Sequence, residues 1–141
     1  MILPDVNVLL YAFRADSANH SAYRRWLLDV VGGPAAYGLS PQVVASVVRI
    51  ATHPRIFSQP STLEETLRFA HALLTPPHCQ IISPGPRHWT ILSTLCTSAQ
   101  AAGNLVQDAW FAALAIEHGC EWITIDRDYR RFPGLRHRTP F

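Results

Sequence analysis

Lysine is absent from this 141-residue chain, so all twelve basic residues are arginines. Positive charge is carried only by guanidinium groups, which favour bidentate contacts with phosphate and carboxylate. A GC-rich coding bias would leave the same signature. Charge is scarce, at 16% of residues with a formal net of +2, and this balance alone does not define a nucleic-acid binder. Cysteine is limited to Cys79, Cys96 and Cys120, widely spaced and odd in number. That excludes a disulfide framework and a zinc-knuckle spacing and leaves buried thiols in a reducing compartment as the expectation. No apolar run reaches the ~18 residues of a membrane span, and Asp5 interrupts the start. A cytoplasmic protein without a membrane segment is therefore expected. No glycine-rich phosphate loop occurs, which argues against P-loop and Rossmann nucleotide binding. Ser40, Ser46 and the histidines form no nucleophile elbow. An aspartate-nucleophile phosphatase would need a second aspartate two residues after Asp5, where Asn7 stands. No histidine pair occurs at i,i+4, and there is no internal repeat, low-complexity segment or linker.

The chain is 48% hydrophobic, enough for one folded domain spanning residues 1–141. Short apolar runs alternate with segments of helical period. Met1 to Leu3 reads as a buried strand, and Val6 to Phe13 opens into helix. Ala18 to Val31 carries Tyr23, Trp26, Leu27 and Val30 at helical spacing. Ala35 to Leu39 is the next strand candidate. Ser40-Pro41 starts a helix running to about Thr52, with Ser as cap and Pro in the first turn. Ser61 or Thr62 caps another, with Glu64 and Glu65 in its first turn and Pro76-Pro77 ending it. Cys79 to Ile82 reads as a strand, His88 to Ala101 as a helix, Leu105 to His118 as another, and Trp122 to Ile125 as an apolar strand. A turn at Phe132-Pro133-Gly134 and a short strand around Leu135 to Thr139 close the chain. Strands separated by helical stretches imply an α/β protein: a central, mostly parallel sheet of four or five short strands, with helices on both faces.

Four aspartates stand out against this scaffold. Asp108 lies inside an apolar helix pattern, on one face with Leu105, Ala112, Ala115 and Ile116. Asp5 and Asp126 each follow a strand, and parallel strands end on one edge of the sheet, where open α/β sheets place ligands. Asp128 follows two residues later. Crowded carboxylates raise one another's pKa, and a hard divalent cation removes that cost. Oxygen-only ligands suit Mg²⁺ or Mn²⁺, and such a site suits phosphodiester hydrolysis. Asn7 is near enough to join it. Thr124, facing away from Ile123 and Ile125, could hold a water or a carboxylate. Arg127, Arg130 and Arg131 lie beside the acids and either contact backbone phosphates or form a solvated run.

The segments LPDVNVLLYAF, SPQVVASVVRIATHPRIF, NLVQDAWFAALAIEHG and WITIDRDYRRFPGL together resemble the PIN-domain ribonucleases, specifically the VapC toxins of type II toxin–antitoxin pairs. The resemblance covers nearly the whole chain. It implies a PIN-like three-layer α/β/α fold and a Mg²⁺- or Mn²⁺-dependent endoribonuclease toxin. Its catalytic and metal-ligand positions would be Asp5, Asp108 and Asp126, with Asp128 as a further acid and Asn7 and Thr124 as polar accessories. It also implies a homodimer, neutralisation by a VapB-like antitoxin, and transfer or ribosomal RNA as substrate, with arrest of translation. One position departs. Where the family usually has a glutamate, three residues before an arginine, this chain has Ser46, whose hydroxyl is no substitute for a charged ligand. Ser46 keeps open a second reading, a catalytically weak or inactive relative that acts by binding RNA or its antitoxin.

Overall fold

A computed structural model describes all residues, Met1–Phe141. The elements follow the expected alternation: β1 (Ile2–Pro4), α1 (Val6–Phe13), α2 (His20–Gly32), β2 (Tyr37–Leu39), α3 (Pro41–Ala51), α4 (Leu63–Leu74), β3 (Cys79–Ile81), α5 (His88–Ala99), α6 (Asn104–Glu117), β4 (Glu121–Ile123), a 3₁₀ helix (Arg127–Arg131) and β5 (His137–Arg138). The five strands form one sheet in the order β3-β2-β1-β4-β5, and every pairing is parallel. Helices cover both faces, giving the three-layer α/β/α arrangement. No helix is long and apolar enough to cross a membrane.

Local chemistry explains the helix starts. Ser40 caps α3 by accepting from the Gln42 N–H, with Pro41 in the first turn. Thr62 caps α4 in a reciprocal capping box with Glu65. β-branched residues weaken the intrinsic preference of α3 for helix, so burial of Val43, Val44, Val47 and Ala51 holds it in place. The small residues Ala109, Ala112, Ala113 and Ala115 of α6 are all fully buried, which lets neighbours approach its axis closely. α6 ends on Gly119, whose φ of 63° is readily adopted by glycine. Cys120 N–H then bonds back to the Ala115 carbonyl, and β4 begins one residue later. This tight connection makes α6 run back along β4, so Asp108 near the start of α6 lies beside the end of β4.

Two expectations change. The segment from Arg127 to Arg131, to which the sequence assigns no element, is helical. Asp126 caps it by accepting from the Asp128 N–H, and an aromatic chain holds it down. Trp122 lies against Phe111 at 5.5 Å between ring centroids and against Tyr129 at 5.4 Å, and Tyr129 meets Phe132 at 5.9 Å. The strands are also shorter than the apolar runs: β4 stops at Ile123, leaving Thr124 and Ile125 beyond it, and β2 begins only at Tyr37. Arg14 is buried. Its guanidinium binds Asp16, the Ser61 hydroxyl and the Gln59 carbonyl, and it sits over the Phe57 ring at 3.6 Å. It thereby ties the loop before α4 to the end of α1.

Candidate metal centre

The β1–β4 pairing builds the site. Pro4 lies opposite Ile123, and Asp5 N–H donates to the Ile123 carbonyl at 2.9 Å. Asp5 and Thr124 are therefore neighbours just past the strand ends. The Thr124 hydroxyl donates to Asp5 Oδ2 at 2.6 Å, and Val6 N–H donates to Asp5 Oδ1 at 2.6 Å. Asp5 is thus both the cap of α1 and a wall of the site. Thr124 also accepts from Asp126 N–H at 3.0 Å, so one hydroxyl orients two acidic residues.

Asp5, Asn7, Ser46, Arg49, Asp108 and Asp126 line a small cavity of about 150 Å³. Carboxylate oxygens of Asp108, Asp126 and Asp128 lie within 4.8 Å of one another. The expected group of four acids therefore divides: Asp108, Asp126 and Asp128 form a trio, and Asp5 lines the same cavity with both oxygens already accepting hydrogen bonds. Asp5 is pushed up to about 6, chiefly by burial. The bonds from Thr124 and Val6 pull it down, and the charges of Asp108 and Asp126 raise it further. Asp108 also reaches about 6, by loss of solvent and then by Asp126 and Asp128, and no donor or cation offsets the rise. A partly buried carboxylate without a protein donor, beside two more carboxylates, fits a hard divalent cation. Asp108, Asp126 and Asp128 would supply oxygen ligands of the kind Mg²⁺ and Mn²⁺ take. A wider surface groove, about 730 Å³ beside Arg14 and Phe69, offers no comparable site. Its acids Asp16 and Glu65 are engaged with Arg14 and with the α4 cap.

Three further residues with polar side-chain groups line the cavity beyond those expected from the sequence. Arg49, one helical turn after Ser46, is the single cation lining the cavity. Gln107 precedes Asp108 on α6. Tyr129 is buried, and its hydroxyl is held neutral by burial and by Asp5, Asp108 and Asp126. The Ser46–Arg49 spacing on a capped helix was a usable signal for Arg49. Nothing local pointed to Tyr129, which reads as one more core aromatic. The exposed arginines divide. Arg127 and Arg130 line a second cavity with Thr124 and Asp126, whereas Arg131 reaches back to Asp128 at 3.8 Å.

Thr124→Val keeps the shape but removes both hydrogen bonds. It is expected to cost about 1–3 kcal/mol, because Asp5 loses a donor in a buried setting. Urea unfolding in EDTA measures this, with Thr124→Ser as the rescuing control. A Val variant within ~0.5 kcal/mol of the parent would show that the hydroxyl does not hold Asp5.

The family model of the PIN domain matches residues 2–135. Ribonuclease VapC25 of Mycobacterium tuberculosis is 41% identical over 140 residues, covering 99% of each chain. Ribonuclease VapC43 of the same species is 37% identical over 140 residues, covering 99% of this chain and 95% of the relative. Among solved structures, VapBC2 from Rickettsia felis, bound to a DNA fragment from their promoter, superimposes with a TM-score of 0.73 at 19% identity, covering 99% of this chain and 98% of that one. VapBC-1 from nontypeable Haemophilus influenzae gives 0.71 at 16% identity, with the same coverage. At such identities the structural likeness speaks for the fold alone; the family rests on the sequence matches across the whole chain, by which this protein belongs to the PIN-domain family, in its VapC branch.

Proposed function

We propose that this chain is a metal-dependent endoribonuclease toxin that hydrolyses phosphodiester bonds of transfer or ribosomal RNA, arrests translation and is neutralised by a VapB-like antitoxin. The observation that carries this reading is the Asp108–Asp126–Asp128 trio, with oxygens within 4.8 Å of one another and no hydrogen-bond donor or ion pair on Asp108. Asp5, Asp108, Asp126 and Asp128 are the proposed catalytic and ligand residues. Bound Mg²⁺ or Mn²⁺ would acidify an attacking water and neutralise charge on the scissile phosphate. The chain's own part is positioning. Asp5, fixed by Thr124, is a buried wall of the site together with Tyr129 and Phe111, and Asn7 and Ser46 supply polar accessory contacts. No histidine lines the cavity, so the side chains able to accept a proton there are carboxylates. Arg127, Arg130 and Arg131 are the proposed RNA-backbone contacts on one side, and Arg49 flanks the acids on another. A homodimer in solution belongs to the same reading.

Ser46 on the cavity wall sets the metal requirement. With a hydroxyl in place of a carboxylate, activity is expected to need high-millimolar Mg²⁺ or to prefer Mn²⁺. Ser46→Glu should lower the half-activating Mg²⁺ concentration by about tenfold or more, the scale of changes seen when metal-site groups are altered. Cleavage of purified transfer and ribosomal RNA across a metal titration tests both points. Saturation of the parent at micromolar Mg²⁺ would overturn them. Ser46 also supports a second reading, a weakly catalytic protein that acts by binding. In that case growth arrest survives Asp108→Asn, whereas a nuclease loses it.

A further inference from the structure

We propose that the cavity of about 380 Å³ bounded by Thr124, Asp126, Arg127, Arg130, His137 and Arg138 holds a backbone phosphate of single-stranded RNA next to the scissile one. The inference deepens the ribonuclease reading and rests on it. The walls come from two segments: the 3₁₀ helix after β4, and the two-residue edge strand β5, whose His137 and Arg138 pair with Trp122 and Ile123.

The cationic groups here lack sufficient partners within the chain. Arg138 is partly engaged, through Nε to Glu121 at 3.1 Å and through a terminal nitrogen to the Thr139 carbonyl at 3.1 Å. Arg127 and Arg130 make no side-chain hydrogen bond or ion pair. Arg68 binds Glu64, Arg136 the Gly119 carbonyl, and Arg131 pairs with Asp128; Arg24, Arg25, Arg49 and Arg55 are unpaired as well, and Arg127 and Arg130 differ from those four in converging on one cavity. Asp126, the one acid lining the cavity, already caps the 3₁₀ helix through Oδ1. Two unpaired guanidinium groups and a third with spare donors face one polar cavity in which Asp126 is the single carboxylate, so the cavity offers more cationic donors than acceptors. Guanidinium suits phosphate oxygens through paired N–H donors.

The occupant follows from position. Asp126 lines both this cavity and the acidic one, so the two adjoin. A strand whose scissile phosphate lies at the acids brings its neighbouring phosphate to the arginines. The chain must bend around Asp126, which an unpaired backbone does more readily than a regular A-form duplex. Arg131, adjacent in sequence, is excluded from this subsite because it turns to Asp128. Arg138, which no sequence signal tied to the acids, is brought in by β5.

The test is binding of a short mixed-sequence single-stranded RNA in EDTA, followed by fluorescence anisotropy across a salt series. Arg127→Gln/Arg130→Gln is expected to weaken binding about tenfold near physiological salt and to lower the log–log salt slope by roughly 0.7 for each phosphate no longer neutralised. Arg127→Lys/Arg130→Lys should retain most of the slope, because charge release dominates it. Arg24→Gln/Arg25→Gln on α2 serves as a charge-matched control and should leave the slope at the parent value. Both target side chains are exposed and unpartnered, so the variants should fold, and circular dichroism verifies this. A Gln pair that matches the parent, or loses no more than the α2 control, overturns the subsite, as does a parent with no salt-dependent binding. Cleavage of the same RNA with Mn²⁺ is scored separately. If the parent cleaves and the Gln pair keeps its slope, the subsite alone fails. If the parent binds through these arginines but does not cleave, the nuclease reading alone fails.

Discussion

Asp108→Asn is expected to abolish RNA cleavage, by about a hundredfold or more, while raising the melting temperature of the metal-free protein. The two effects share one cause. Asp108 is a partly buried carboxylate whose pKa is pushed up to about 6 by lost solvation and by Asp126 and Asp128, with no donor in compensation. At neutral pH its charge therefore destabilises the empty site. An amide of the same shape carries no charge, and relief of roughly 1–2 kcal/mol is expected once solvent screening is allowed for. That corresponds to a few degrees in Tm for a chain of this size. The same amide is a poor ligand for a hard cation. Loss of ~3 kcal/mol or more of transition-state stabilisation gives the hundredfold fall in rate. The stabilisation conferred by Mn²⁺ on the parent should also shrink, since an ion bound only by the native state must raise Tm. Differential scanning fluorimetry with EDTA or Mn²⁺, beside single-turnover cleavage, reads all three quantities. An Asn variant that cleaves at the parent rate would sink the assignment. A metal-free Tm below the parent's would show that Asp108 is a structural acid.

The second large effect is an inverted pH dependence. Metal-free protein is expected to lose stability as pH rises from about 4 to above 6. Asp5 and Asp108 both have native pKa values near 6 against an ordinary 3.8. Between those values the native state keeps protons that the unfolded chain has released, so stability falls as pH increases. Below 3.8 both states are protonated and no penalty exists; above 6 it is complete. Raising a buried carboxyl such as Asp5 from 3.8 to about 6 corresponds to about 3 kcal/mol when it ionises. Glu117 and Asp16 act in the opposite sense. Glu117 accepts from the backbone N–H groups of Gly85 and Arg87, and Asp16 from Arg14, so both sit below their ordinary values. Their stabilisation is lost only as pH falls through the carboxylate range. The metal-free optimum should therefore lie near pH 4–5, and saturating Mn²⁺ should flatten the fall above it. Urea midpoints from about pH 4 to 8, with and without metal, measure this. Metal-free stability that climbs steadily over that range would contradict the crowding of uncompensated acids.

Both predictions draw on residues visible in the sequence, but on relations that were not. Asp5, Asp108 and Asp126 could be singled out because each breaks or ends an apolar segment, and parallel strands share an edge. The helix starts at Ser40-Pro41 and Thr62 were equally readable, since a cap acts within four residues. Strand limits were not, because strands of two or three residues carry no period: the run at Trp122 to Ile125 extends beyond the observed pairing. The 3₁₀ helix was missed for a related reason. Aromatic packing of Trp122, Tyr129 and Phe132 holds it in place, and that packing involves residues outside the helix.

By itself, then, the sequence determined the order of elements, the parallel sheet and the identity of the acids, because periodicity, caps and strand ends are properties of neighbouring residues. Tertiary structure alone decided how the acids divide. Asp5 is held by Thr124, 119 residues away, while Asp108, Asp126 and Asp128 bring their oxygens within 4.8 Å of one another. It also decided that Arg131 leaves the basic cavity and that Arg138 joins it. These placements follow from the β1–β4–β5 register and from side-chain direction, which fix distances of a few ångströms between remote residues and leave no trace in local sequence pattern.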